Sequence, residues 1–84
     1  MERYETGMLA KSKAGHDKDH VYVIIDVDET YVYLADGKIR TMDRPKKKKK
    51  KHVQIILKQY DLTGLDDVGV KRILKLFDKE TGRK

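Results

Sequence analysis

The side chains able to do chemistry in this sequence are overwhelmingly ammonium groups. Six lysines stand consecutively as Lys46, Lys47, Lys48, Lys49, Lys50 and Lys51, and three more, Lys11, Lys13 and Lys18, surround Gly15. Such groups attract anions; they do not break bonds unaided. No cysteine is present, which removes disulfides and thiolate metal sites. No nucleophile stands with a base, no glycine loop is of the phosphate-cradling kind, and no carboxylate pair suggests acid–base work, so a non-enzymatic protein without a cofactor is expected. His16 and His20 have the i, i+4 spacing of a helical metal pair, but they flank a loop and lack a third ligand, so no metal is expected. Asp26, Asp28 and Glu29 cluster where a tight turn is expected and read as turn chemistry.

Charge placement narrows the partner. The chain holds 20 Lys and Arg against 14 Asp and Glu, for a formal net charge of +6. Residues 38–58 contain ten of those cations and one acid, so the other 63 residues are net negative by three. A segment that carries the whole positive excess is the footprint of a polyanion binder. Nucleic acid, anionic lipid and acidic protein are the candidates. The longest apolar run, VYVII at residues 21–25, is far short of the roughly 18 residues of a membrane span. The lysines have no adjacent apolar helix face with aromatic anchors, which ranks a membrane surface third. The N-terminal MERYETGMLAK does not read as a secretory signal, and the absence of cysteine fits a reducing cytosol.

The elements that must position these cations read as mainly β. Strands are expected near residues 7–13, 20–27, 30–36, 38–42 and 52–58, because each is short, rich in β-branched or aromatic residues, and bounded by polar turns. Val21, Val23, Ile25 and Val27 fall on one face of the second strand, and Val53, Ile55 and Leu57 on one face of the fifth. Asp28, Glu29 and Thr30 form a tight hairpin in this reading. Asp36-Gly37 reads as a type I′ turn leading to the fourth strand, which Arg44-Pro45 ends. Six like charges repel one another, so residues 44–51 read as a lysine-rich, solvated loop. Val70, Ile73, Leu74 and Phe77 have helical spacing and predict a helix over 66–78, capped by Thr63 or Asp66 and ended by Gly82. Five short strands with tight turns suggest a small barrel over residues 1–58, followed by a helical tail over 59–84. A chain of 84 residues buries roughly 60–65% of its unfolded surface, so the core must be small.

The stretch GMLAKSKAGHDKDHVYVIIDV at residues 7–27 is a strand, a charged glycine-bearing loop and a strongly β-forming strand. It resembles the KOW motif of ribosomal proteins and transcription-elongation factors. KSKAGHDK at residues 11–18 is similar to the KSKAGRDKG run of KOW-domain RNA-binding proteins from low-GC Gram-positive bacteria. These in turn are similar to the archaeal and eukaryotic large-subunit ribosomal protein of the "fourteen-e" type. LADGKIR and RPKKKKKKH, within residues 34–52, also resemble that group, and the resemblance covers roughly residues 5–57. The chain departs from the pattern twice: Asp19 stands where the family has glycine, and His16 where it has arginine.

The resemblance implies a five-stranded SH3-like barrel of the KOW type whose loops meet RNA. Carried onto this chain, the RNA-binding residues are Lys11, Lys13, Gly15, His16, Lys18, Arg40, Arg44, the six lysines 46–51 and His52. The implied partners are large-subunit ribosomal RNA and neighbouring ribosomal proteins, with no membrane and no small-molecule substrate. The implied location is the cytoplasm, on the ribosome. The alternative is a transcription-factor-like KOW module that binds an acidic protein. The residues alone point the same way more weakly: Gly15 supplies a left-handed backbone at a loop tip, flanked by long cations. Gly15 could equally serve only to close the turn; the lysine run could be a solubilising linker, but six consecutive lysines exceed what solubility needs, which favours a phosphate anchor. Tyr22, Tyr31 and Tyr33 read either as a wall of the core or as a platform on which unpaired bases stack.

Overall fold

The computed structural model describes residues 4–82. Five antiparallel strands form one sheet: β1 (Met8–Ser12), β2 (Val21–Val27), β3 (Tyr31–Ala35), β4 (Lys46–Lys49) and β5 (Val53–Gln59). A single 3-10 turn, Lys50–His52, joins β4 to β5, and helix α1 spans Asp67–Glu80. The order across the sheet is β4-β3-β2-β1-β5. Mainly β with a C-terminal helix is therefore the architecture expected from the sequence.

Both faces of the sheet are buried, for different reasons. Met8, Ala10, Tyr22, Ile24, Val32, Leu34 and Val53 form one cluster, which brings β3 and β5 together although two strands separate them in the sheet. The sheet therefore curls around this cluster. On its outer face Leu9, Val21, Val23 and Ala35 meet Val70, Ile73 and Phe77 of α1. Alternation along a strand produces this division, since neighbouring side chains point to opposite faces. In β2 the alternation is broken between Ile24 and Asp26 by a bulge. Val27 consequently joins the inner cluster while Val21, Val23 and Ile25 stay with the helix, so the four do not share one face as the bare pattern predicts. In β5, Val53 is buried and Ile55 packs inward, but Leu57 lies beyond the cluster and is 76% exposed.

The helix starts where its cap dictates. Asp66 accepts a hydrogen bond from the Gly69 N–H (2.9 Å), and Val70 is the first buried residue of the apolar stripe. At the other end Gly82, at φ +75°, leaves the helical conformation. The Asp28 carboxylate accepts from the Thr30 and Tyr31 N–H groups (2.9 and 2.7 Å), which makes the β2–β3 connection the tight turn that its composition predicts.

The fourth strand is not where the sequence places it. Residues 38–42 form no strand, and Asp36-Gly37 is no type I′ turn, because Gly37 has positive φ (78°) and Asp36 does not. Instead the Asp36 carboxylate accepts from the Lys38 and Arg40 N–H groups (both 2.9 Å) and folds residues 36–40 back on themselves. The fourth strand is the lysine run itself. Lys46, Lys47, Lys48 and Lys49 pair with Leu34, Tyr33, Val32 and Tyr31 of β3. The expected solvated loop over 44–51 is thus replaced by an ordered strand and a 3-10 turn. Pro45 precedes the strand instead of ending one, a place where its missing N–H costs no ladder bond. Lysine suits an outer strand, where its charge discourages pairing with another chain.

Candidate nucleic-acid interface

The loop joining β1 to β2 carries the glycine singled out in the sequence. Gly15 has φ +86°, the left-handed conformation expected of it. The loop is closed by backbone bonds from Lys18 N–H to Gly15 O (3.2 Å), Asp19 N–H to Ser12 O (2.8 Å) and His20 N–H to Asp17 O (2.9 Å). Asp19 has φ +72°, the one non-glycine residue with positive φ among the described residues. This is the position at which the KOW pattern carries glycine.

Asp17 organises the loop. One carboxylate oxygen accepts from Ser12 Oγ (2.9 Å) and Lys48 Nζ (3.0 Å); the other accepts from the Tyr22 hydroxyl (2.9 Å) and faces Lys46 Nζ at 3.3 Å. Its side chain is only 14% exposed, and that of Lys48 11%. Burial by itself would raise the carboxyl, but hydrogen bonds from Lys48, Ser12, Tyr22 and Lys46 outweigh it and hold Asp17 far below the ordinary carboxylate range. The same burial, with Asp17 beside it, pushes the Tyr22 phenol well above its ordinary value. Lys48 also donates to the Ala14 carbonyl (3.1 Å). A carboxylate in the basic loop therefore clips that loop to the lysine strand.

Strand alternation then divides the lysine run. Lys46 and Lys48 turn toward Asp17, whereas Lys47 and Lys49 are exposed. Lys47 Nζ lies 4.2 Å from the centroid of the Tyr31 ring, a cation–π contact. Lys50 donates to the Glu29 carbonyl (3.1 Å) and lies over Tyr4, so it belongs with the Asp28–Thr30 turn. Lys51 and His52 are exposed, and the Lys13 N–H bonds to the His52 carbonyl (2.9 Å), which makes the Gly15 loop and the 3-10 turn neighbours.

The remaining candidates divide similarly. Lys13, His16 and Lys18 are exposed on the loop, and Lys11 is 3.8 Å from Asp19. Ala35 pairs with Val23, so the connection after β3, with half-buried Arg40 and exposed Arg44, leaves the sheet at the same end as the Gly15 loop. His20 does not pair with His16. Its Nε2 lies 3.2 Å from Asp36, and its ring sits 4.5 Å from that of Tyr22. Of the three tyrosines Tyr22 is buried in the core, whereas Tyr31 and Tyr33 are half-buried on the outer face of β3, and the Tyr33 hydroxyl donates to Asp28 (2.6 Å). Sequence reasoning missed Asp17 and Asp36. The available signal was an acid placed inside a basic loop, five residues from both a serine and a tyrosine on the flanking strands.

No protein-family model matches the chain, and no curated protein matches it. None of the described helices is long and apolar enough to cross a membrane.

Proposed function

We propose that the protein is a non-enzymatic RNA-binding protein of the KOW type. In this reading its curled sheet is an SH3-like barrel, and it docks in the cytoplasm on large-subunit ribosomal RNA beside neighbouring ribosomal proteins. The observation that carries the reading is the Asp17 clip, which holds a glycine-tipped basic loop against a strand of four lysines. Two of those lysines are consumed in the clip. The others, with Lys13, Lys18 and Lys51, remain free to meet phosphate. Folded RNA displays phosphates at high density and is recognised mostly by shape, which suits a rigid array of cations better than a set of base-reading side chains. Ordering the array in advance also lowers the conformational entropy lost on binding.

The test is sedimentation of the native protein through a sucrose gradient, with and without ribonuclease. Co-migration with large subunits that ribonuclease abolishes is the expected result. Association that survives ribonuclease would instead favour the acidic-protein partner and overturn the RNA reading.

A further inference from the structure

The turn over residues 36–40 presses directly on helix α1. A Cβ built on Gly37 would collide with the Asp67 carbonyl and lie 2.7 Å from Lys71 Cγ, so only glycine permits this approach. The Met42 N–H donates to the Asp67 carboxylate (2.8 Å) and fastens the far side of the same segment to the helix start. This docking creates a groove of about 540 Å³ between the turn, the start of β2 and the helix. Lys38 comes to it from the turn, Lys71 and Lys75 from successive turns of α1, and His20 from the end of the Gly15 loop.

The charges in this groove are unbalanced. Lys38, Lys71 and Lys75 take part in no ion pair among the described residues. Two acids, Asp36 and Asp78, also line the groove, which leaves three ammonium groups against two carboxylates. Asp36 is occupied by His20 and two backbone N–H groups, and Asp78 has an interaction of its own. Like charges four residues apart disfavour a helix, and a third brought in by a docked turn adds to the repulsion. An arrangement that gathers three unpaired ammonium groups in one groove suits an anionic ligand.

We propose that this groove is a phosphate-binding extension of the RNA interface. Lys38, Lys71 and Lys75 hold the sugar–phosphate backbone of the same RNA that meets the Gly15 loop. His20 lies between the two sites and makes them continuous. The proposal rests on the RNA-binding reading above, and it gives the C-terminal helix a role in binding as well as in the core.

Two double variants test it. Lys71→Gln with Lys75→Gln removes two charges from the groove. Arg72→Gln with Lys79→Gln removes two from helix positions outside it. Each is titrated against purified large-subunit rRNA at several salt concentrations. The groove variant should reduce the log–log salt slope by roughly 1.4–1.8, two contacts' worth of released counterion, and the control variant by less than half of that. In parallel, NMR of the unsubstituted protein should show the Gly37 and Lys38 amides shifting as a short RNA duplex is added. Normal RNA binding with unmoved amides and equal slopes in the two variants overturns the groove while leaving the RNA reading intact. Failure of the unsubstituted protein to bind RNA overturns both.

Discussion

Lys48 and Asp17 stand 31 residues apart and meet at 3.0 Å, the ammonium of the fourth strand against the carboxylate of the first loop. With Lys46 on the other carboxylate oxygen, this contact ties the two most basic features of the chain together through an acid. A lysine strand that looks uniform in sequence therefore alternates between Lys46 and Lys48, held by Asp17, and Lys47 and Lys49, turned outward.

Those two pairs should separate on substitution. Lys46→Gln with Lys48→Gln leaves a largely buried carboxylate without its cations and should destabilise the fold by about 1–3 kcal/mol, less than for a wholly buried pair because Lys46 is partly exposed. Lys47→Gln with Lys49→Gln should alter stability by no more than about 0.5 kcal/mol. Urea unfolding of both variants checks this. Equal stability would mean that the run is the solvated segment its composition suggests. For RNA binding the order reverses: the outward pair should flatten the salt slope by roughly 1.4–1.8.

Acid should act through the same carboxylate. Because the Asp17 carboxyl is depressed when folded, the unfolded chain takes up its proton first as pH falls. Its contribution to stability is thus complete above the ordinary aspartate range, near pH 4, and declines steadily below it. Asp28, Asp36, Asp43 and Asp61 are depressed as well, so the whole protein loses stability in acid. Asp17→Asn should be less stable at pH 6, and its thermal midpoint should fall less steeply between pH 4 and pH 2 than that of the unsubstituted protein. Parallel curves would show that Asp17 titrates normally.

Backbone geometry in the loop gives a third expectation. Gly15→Val places a β-branched residue at φ +86° and should cost about 1–2 kcal/mol, whereas His16→Ala should be nearly neutral. Asp19→Gly relieves the positive φ of an aspartate and removes an acid 3.8 Å from Lys11. It should be neutral to stabilising, by up to about 1 kcal/mol, and should tighten RNA binding. Thermal melts and a filter-binding titration read both effects; weaker binding by Asp19→Gly would mean that Asp19 itself positions the loop.

Helix α1 should prove inseparable from the sheet. Phe77→Ala removes a side chain packed against the outer face of the sheet and should cost about 3–5 kcal/mol, while Leu76→Ala, half exposed, should cost under about 1 kcal/mol. Calorimetry should record one transition in each case. A separate low-temperature transition of the helix would show that the tail is an independent unit.

Much of the fold follows from local pattern. β1, β2, β3 and β5 are written in runs such as VYVIIDV and HVQIIL, whose side chains prefer a pleated surface whatever surrounds them. Helix α1 is written in the spacing of Val70, Ile73 and Phe77 and in the cap at Asp66. Gly15 is legible for the same reason: a left-handed residue is a local requirement. What only the tertiary structure decided are the features whose stabilising partner is distant. Lysines 46–49 repel one another in isolation and become a strand because β3 offers an unpaired edge and Asp17 offers a carboxylate. Asp36-Gly37 looks like a hairpin turn, yet its glycine is needed because a helix 30 residues later packs against it. The bulge in β2 sends Val27 to the inner cluster, against the alternation of its own strand. Local propensity acts over a few residues, whereas the charge balance and close packing that settled these three come from chain segments that meet only when the sheet has curled and the helix has docked.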